Sequence, residues 1–168
     1  MEKHSLFLVR HALAAERGDD WLDDAKRPLT KKGVARMREI TDGLAALDVE
    51  LDVIITSPLV RARETAELLA AGWLSRPVMG VSTALAPGLQ PAAVADMLSR
   101  HPKAKGIALV GHEPGLGEFA AWLIGAAHPL LLKKGGVIRI DVPTMPPVSG
   151  SGHLAWAATP KMLRNITR

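Results

Sequence analysis

The chain contains no cysteine and no tyrosine. Without cysteine there is no disulfide framework, no thiol nucleophile and no Cys-ligated zinc. The composition fits a reducing compartment, and the expected location is cytoplasmic. Aromatic residues make up only 4% of the sequence, too few for a surface on which nucleic-acid bases would stack. No apolar run approaches the roughly 20 residues that a membrane-spanning helix needs. Near the start, the run SLFLV is cut short by Arg10 and His11, so it reads neither as a span nor as the unbroken core of a secretion signal.

What is present is an ordinary globular composition, 48% hydrophobic and 23% charged over 168 residues. That length predicts one domain over residues 1–168. It is enough to bury roughly 68–70% of the surface that the unfolded chain exposes. The net charge of +4 favours anionic ligands but does not by itself argue for nucleic acid, which is not expected as a partner.

Apolar and polar residues alternate in blocks. Residues 5–9 read as a buried strand. Residues 30–47 carry Val34, Met37, Ile40, Leu44 and Leu47 at helical spacing, with Thr30 as the N-cap. Residues 51–55 form a second apolar, β-branched strand. Ser57 and Pro58 then read as the cap and first residue of a helix running to about residue 74. A weak strand at 77–81, a short helix at 91–99, an apolar strand at 106–110 and a helix at 114–124 follow. Two late strands, at 136–142 and 153–158, flank a Pro/Gly/Ser-rich loop, and residues 160–165 read as a last short helix. Strands alternating with helices predict an α/β fold, a three-layer α/β/α sandwich with a mostly parallel central sheet. The pattern does not give the strand order.

In open α/β sheets ligands bind beyond the carboxyl ends of the strands. The first strand is followed by Arg10 and His11, the second by Ser57-Pro58 with Arg61 close behind, and the fourth by His112. Two histidines and at least one arginine thus converge on what can be a single crevice, near two helix N-termini that offer amide donors. Arginine forks suit phosphate oxygens. A histidine held among them can attack phosphorus through a ring nitrogen, with the surrounding positive charge stabilising an in-line transfer.

Three segments carry a family resemblance. LVRHALA (residues 8–14) resembles the Arg-His motif of the histidine phosphatase superfamily. TSPLVRARETAELL (56–69) resembles its Ser-Pro-x-x-Arg-x-x-x-Thr segment, and VGHEPGL (110–116) its second-histidine motif. RPLTKKG, LLKKGGVIRID and LAWAATPKML look like the small SixA-type phosphohistidine phosphatases, whose length the chain also shares. The resemblance implies a phosphoglycerate mutase-like fold and chemistry without metal or other cofactor. It implies His11 as the nucleophile that becomes phosphorylated, Arg10 and Arg61 as phosphoryl ligands, and His112 as a donor to the transferring group. Ser57 is read as a helix cap that also contacts phosphate.

Two positions depart from the family pattern. The usual Arg-His-Gly is here Arg10-His11-Ala12, and Ala84 stands where many relatives place a catalytic glutamate; no carboxylate lies between Glu67 and Asp96. The missing acid bears on the substrate. An alkoxide leaving group has a conjugate acid near pKa ~16, by analogy with water, and imidazole one near ~6.5. The difference in leaving-group basicity is on the order of 12 kcal/mol, so an ester needs a proton donor far more than phosphohistidine does. The expected activity is hydrolysis of phosphohistidine on a phosphorelay-type protein, such as a phosphotransfer domain, with inorganic phosphate as product.

Two alternatives remain at this point. One is a phosphatase of a small phosphorylated metabolite, drawing an acid from Glu16, Asp19, Asp20, Asp23 or Asp24. The other is a non-catalytic phosphoprotein-binding module. Arg63 is expected on the helix surface, Thr65 in a structural role, Lys133 and Lys134 on a solvated turn, and residues 16–24 as a solvated face. His4, His101, His128 and His153 are expected to be superficial or structural.

Overall fold

A computed structural model describes residues 3–167. Its centre is a six-stranded sheet of order β3-β2-β4-β1-β5-β6. The strands are β1 (His4–Arg10), β2 (Val53–Thr56), β3 (Val78–Val81), β4 (Gly106–Gly111), β5 (Val137–Val142) and β6 (His153–Ala158). The first four run parallel to one another; β5 pairs antiparallel with β1, and β6 antiparallel with β5. The sheet is thus mostly parallel, as the alternation of elements predicts, and the two late strands are its antiparallel exception. Every residue of β2 and β4 is buried, whereas the edge strand β3 is largely exposed. Strands covered on both faces read as continuous apolar runs, which is why the central ones stand out in the sequence and the edge does not.

Side chains alternate between two cores. Leu6, Leu8, Ile107 and Leu109 point to one face and pack with Leu98 and Phe119 from α3 (Pro91–Leu98) and α4 (Gly115–Ile124). Phe7, Val9, Ala108 and Val110 point to the other. There they meet Met37, Ile40 and Leu44 of α1 (Lys31–Ala45), Ala62 and Leu69 of α2 (Val60–Ala70) and Leu163 of α5 (Pro160–Asn165). The result is the expected three-layer α/β/α sandwich. No described helix is long and apolar enough to cross a membrane.

Thr30 caps α1 as expected, its hydroxyl accepting from Gly33 N. Ser57 does not cap α2. The helix starts at Val60, after an extended Leu59, and ends at Ala70, short of residue 74. The reason lies in long-range bonding: the Ser57 side chain faces His112 instead. His4 is structural, buried with Nδ1 2.7 Å from the Ala104 carbonyl oxygen.

Candidate active site

The strand register brings the motif residues level. Arg10 on β1 lies beside Gly111 on β4, and Val110 lies beside Thr56 on β2. The residues that follow, His11, His112 and Ser57, therefore leave the sheet at one edge. His11 N donates to the Gly111 carbonyl and Ser57 N to the Val110 carbonyl, so the parallel ladder runs one residue past the strands. The two imidazole rings sit 5.2 Å apart, centroid to centroid. Arg61, one residue into α2, joins them, and all four lie in one cleft of about 480 Å³. Ser57 is buried directly behind it.

Hydrogen bonds fix each side chain, most of them from distant segments. Arg10 Nη1 donates to the Leu132 carbonyl at 2.8 Å. His11 Nδ1 lies 2.8 Å from the Ala12 carbonyl oxygen, so Nδ1 carries the ring proton and Nε2 keeps its lone pair. Ala12 N donates to Thr65 Oγ1, which in turn donates to the Arg61 carbonyl. Thr65 thus clamps the turn at His11 and Ala12 to α2. Ala12 does not need the freedom of a glycine: the only non-glycine residues with positive φ among those described are Asp48 and Arg76. His112 Nε2 lies 2.7 Å from Ser57 Oγ. Glu113 Oε2 accepts from Gly117 N and Oε1 from Leu132 N, tying the start of α4 to the segment that holds Arg10. A Cβ at Gly117 would fall on the Leu130 carbonyl oxygen, so the close approach there requires glycine.

Among the described residues, three buried side-chain nitrogens have no hydrogen-bond partner: Arg10 Nε, Arg61 Nε and His112 Nδ1. All three belong to this cleft. Buried donors are nearly always satisfied, so three orphans in one place mark a site built for an oxygen-rich anion.

Electrostatics keeps the histidines neutral. Burial lowers the His11 imidazole from its usual value to about 3, with the Ala12 carbonyl opposing the shift and His112, Arg61 and Arg10 adding to it. Burial, then Arg61, lowers His112 to about 4, with Asp24 opposing. These shifts set a pH dependence of stability. The unfolded chain protonates both rings as pH falls through 6.5, while the folded chain resists until about 4 and 3. Stability is therefore complete above pH 6.5 and is lost on acidification, on the order of 1–2 kcal/mol per histidine by pH 5. The expected result is that both ring signals stay flat in NMR titrations between pH 8 and 5. Either ring titrating near 6.5 would contradict the assignment.

Several residues at the site carry no signal in the sequence. Arg27 is buried, donating through Nη1 to the Ala15 carbonyl and through Nε to Asp24 Oδ1. Asp24 also accepts from Arg61 Nη2 at 3.1 Å, while its carbonyl accepts from Arg61 Nη1. The expected solvated face at residues 16–24 is thus wrong for Asp24, which is a structural anchor of Arg61. Partial burial would raise the Asp24 carboxyl, but the hydrogen bond from Arg27 and the charge of Arg61 outweigh it and hold it below the usual carboxylate range. Lys134, expected on a solvated turn, lines the cleft, as do Glu16 and Glu113. Ala84 does not line it; Pro87 is what that segment contributes. Arg63 is exposed, as expected.

With this geometry in place, comparison with known proteins is decisive. The family model of the histidine phosphatase superfamily (branch 1) matches residues 6–82. The chain belongs to the histidine phosphatase superfamily. Within the superfamily its likeness is to the SixA-like branch. It is 27% identical over 165 residues to the phosphohistidine phosphatase SixA of Escherichia coli (strain K12), spanning 95% of this chain and 96% of that one. An uncharacterised protein of Picosynechococcus sp. is 44% identical over 140 residues, 80% of this chain and 83% of the relative. In structure, the protein histidine phosphatase SixA complexed with tungstate superposes with a TM-score of 0.82 at 23% identity, covering 94% of this chain and 97% of that one. A phosphoserine phosphatase of Entamoeba histolytica in complex with phosphoserine shares the fold more distantly, with a TM-score of 0.66 at 15% identity and coverage of 95% and 99%. The architecture is that of the phosphoglycerate mutase-like histidine phosphatases.

Proposed function

We propose that this protein is a phosphatase that removes the phosphoryl group from phosphohistidine on a protein, by way of a phosphohistidine on its own His11. The observation that carries this reading is the cluster of orphaned nitrogens, Arg10 Nε, Arg61 Nε and His112 Nδ1, around a histidine kept neutral by burial. His11 Nε2 attacks phosphorus in line. The bond to the substrate imidazole breaks, and that ring, already protonated on its other nitrogen, leaves as neutral imidazole. Arg10, Arg61 and His112 hold the equatorial oxygens as charge redistributes. Ser57 Oγ accepts from Leu59 N, so its own proton is free to point at His112 Nε2. That leaves the one proton of the neutral His112 ring on Nδ1, free to donate to a phosphoryl oxygen. Water then attacks phosphorus, the bond to His11 Nε2 breaks, and orthophosphate departs.

The substrate class follows from the acids. Asp24 is held ionised between Arg61 and Arg27, and both oxygens of Glu113 accept backbone donors. Neither is placed to protonate an alkoxide. Phosphohistidine does not need that proton. The similarity to SixA agrees with this reading. The second reading, a phosphatase of a small phosphorylated metabolite, is supported by one residue: Glu16 lines the cleft and is the carboxylate there without a described hydrogen-bond partner.

The test is phosphate release from a histidine-phosphorylated phosphotransfer domain beside a panel of sugar, nucleoside and amino-acid phosphates. The expected preference in kcat/KM for phosphohistidine is at least about a hundredfold, which uses only a fifth of the difference in leaving-group basicity. A preference for any ester, removed by Glu16→Gln, would establish the second reading. Binding without phosphate release from any substrate would leave a phosphoprotein-binding module.

A further inference from the structure

Beside the catalytic cleft lies a larger cavity, about 760 Å³ against about 480 Å³, and Arg10 and Lys134 line both. The groove is formed by α1, through Arg36 and Ile40, by α5, through Lys161 and Arg164, and by Lys133 and Lys134 ahead of β5. Among the described residues, no carboxylate and no aromatic ring lines it. Arg164 is tied to Glu39 at 2.6 Å. Arg36, Lys133, Lys134 and Lys161 make no ion pair among the described residues. Ala12, Leu13 and Pro160 supply apolar walls between these charges.

We propose that this groove docks a carboxylate-rich face of the protein that carries the phosphohistidine. The proposal rests on the phosphoprotein reading and extends it to the partner's surface chemistry. Four unpaired cations lining one concavity repel one another and are compensated when an acidic surface enters. The groove also lies beyond the cleft that receives the phosphoryl group, so a small phosphorylated molecule would not fill both. A macromolecule held in the groove can present a phosphohistidine to the cleft through the shared Arg10 and Lys134. Nucleic acid fits less well, because no ring is available to stack on a base. Complementary charge of this kind acts mainly on encounter and on KM rather than on the chemical step.

The experiment compares two phosphohistidine peptides of equal length, one flanked by Asp and Glu and the other by Ser and Gly, with phosphoramidate as a minimal substrate. The parent protein is expected to prefer the acid-flanked peptide by about tenfold in kcat/KM, through KM, and to lose that preference at high salt. Charge reversal at both Arg36 and Lys161 (R36E/K161E) should remove the preference while leaving phosphoramidate hydrolysis within about twofold. The charge-preserving R36K/K161R should retain it. Equal KM values for the two peptides in the parent protein would overturn the groove alone. So would a preference that survives R36E/K161E, or a fall in phosphoramidate hydrolysis in step with the peptides. Stronger inhibition by single-stranded RNA than by an unphosphorylated acidic peptide, abolished in R36E/K161E, would assign the groove to nucleic acid. Turnover of phosphoramidate but of neither peptide would overturn the phosphoprotein reading itself, and the groove proposal with it.

Discussion

Replacing His11 by alanine is expected to lower phosphate release by about 10⁴-fold or more on every substrate, because it removes the nitrogen that attacks phosphorus in the proposed mechanism. The ring nitrogen that would attack is neutral at pH 7, since burial holds the imidazole near 3, and it is aimed by the bond from Nδ1 to the Ala12 carbonyl. Without it, water would have to attack the substrate directly and would need a base. Glu113 is saturated by Gly117 N and Leu132 N, and Asp24 is locked to two arginines. The measurement is twofold: initial rates of phosphate release, and trapping of the labelled protein on rapid mixing with phosphohistidine substrate. The parent should carry a label that is stable in alkali and lost in acid, and His11→Ala should carry none. Activity above a tenth of the parent's would remove His11 from the role of nucleophile. Thermal unfolding distinguishes lost chemistry from lost structure, since the substitution removes a buried histidine that makes one local hydrogen bond.

The second large effect is at Arg61. Arg61→Ala removes two things at once: a donor, Nε, that has no other use in the fold, and the counter-charge on Asp24 Oδ2. Asp24 would keep its pairs with Arg27 and Arg17 through Oδ1, but its Oδ2 would lose its partner beside the incoming phosphoryl oxygens. The expected loss in kcat/KM is about 10³-fold, more than the removal of one charged hydrogen bond would give. Arg61→Lys keeps the charge without the planar fork and should fall between, at about 10–100-fold. The double variant D24N/R61A should recover part of the loss, because it removes the negative charge whose Oδ2 has lost its partner. Measuring kcat/KM for the parent, D24N, R61A and D24N/R61A closes the cycle. If R61A stays within threefold of the parent, Arg61 does not hold the phosphoryl group. If the two substitutions simply add, Asp24 is not its anchor.

What could be read from the sequence and what could not divide along a physical line. Buried central strands announce themselves as apolar runs, and the residue after a strand end is a position the chain cannot disguise. Hence the placement of Arg10, His11 and His112 at one edge of a largely parallel sheet was legible, as was Thr30 as a cap whose partner is three residues away. Contacts between distant segments leave no such trace. Ser57 has the local signature of a cap, yet its hydroxyl serves His112, 55 residues on. Asp24 sits in an acidic, polar loop that reads as solvated, and only the tertiary fold shows that it pairs with Arg27 and braces Arg61. Lys134 reads as one of two lysines on a turn; the return of β5 beside β1 brings it to the cleft. The order of the strands, with β1 fourth in the sheet, was likewise invisible, because periodicity describes how a strand is covered and not what lies next to it.

That placement of β1 has a consequence for how the protein comes into being. His11 precedes most of its surroundings in the chain by a long way. Arg61 follows by 50 residues and His112 by 101, and the carbonyl that holds Arg10 belongs to Leu132. Contacts of such long sequence separation form late, because the chain between them must first be closed into a loop. Until residues 137–142 have emerged, the nascent chain presents His11 at the end of a strand that lacks one of its two flanks, β5. The cleft is therefore assembled as a whole or not at all: His11 is made well before Arg61, His112 and Leu132, and meets them only once the strands between and after them have folded.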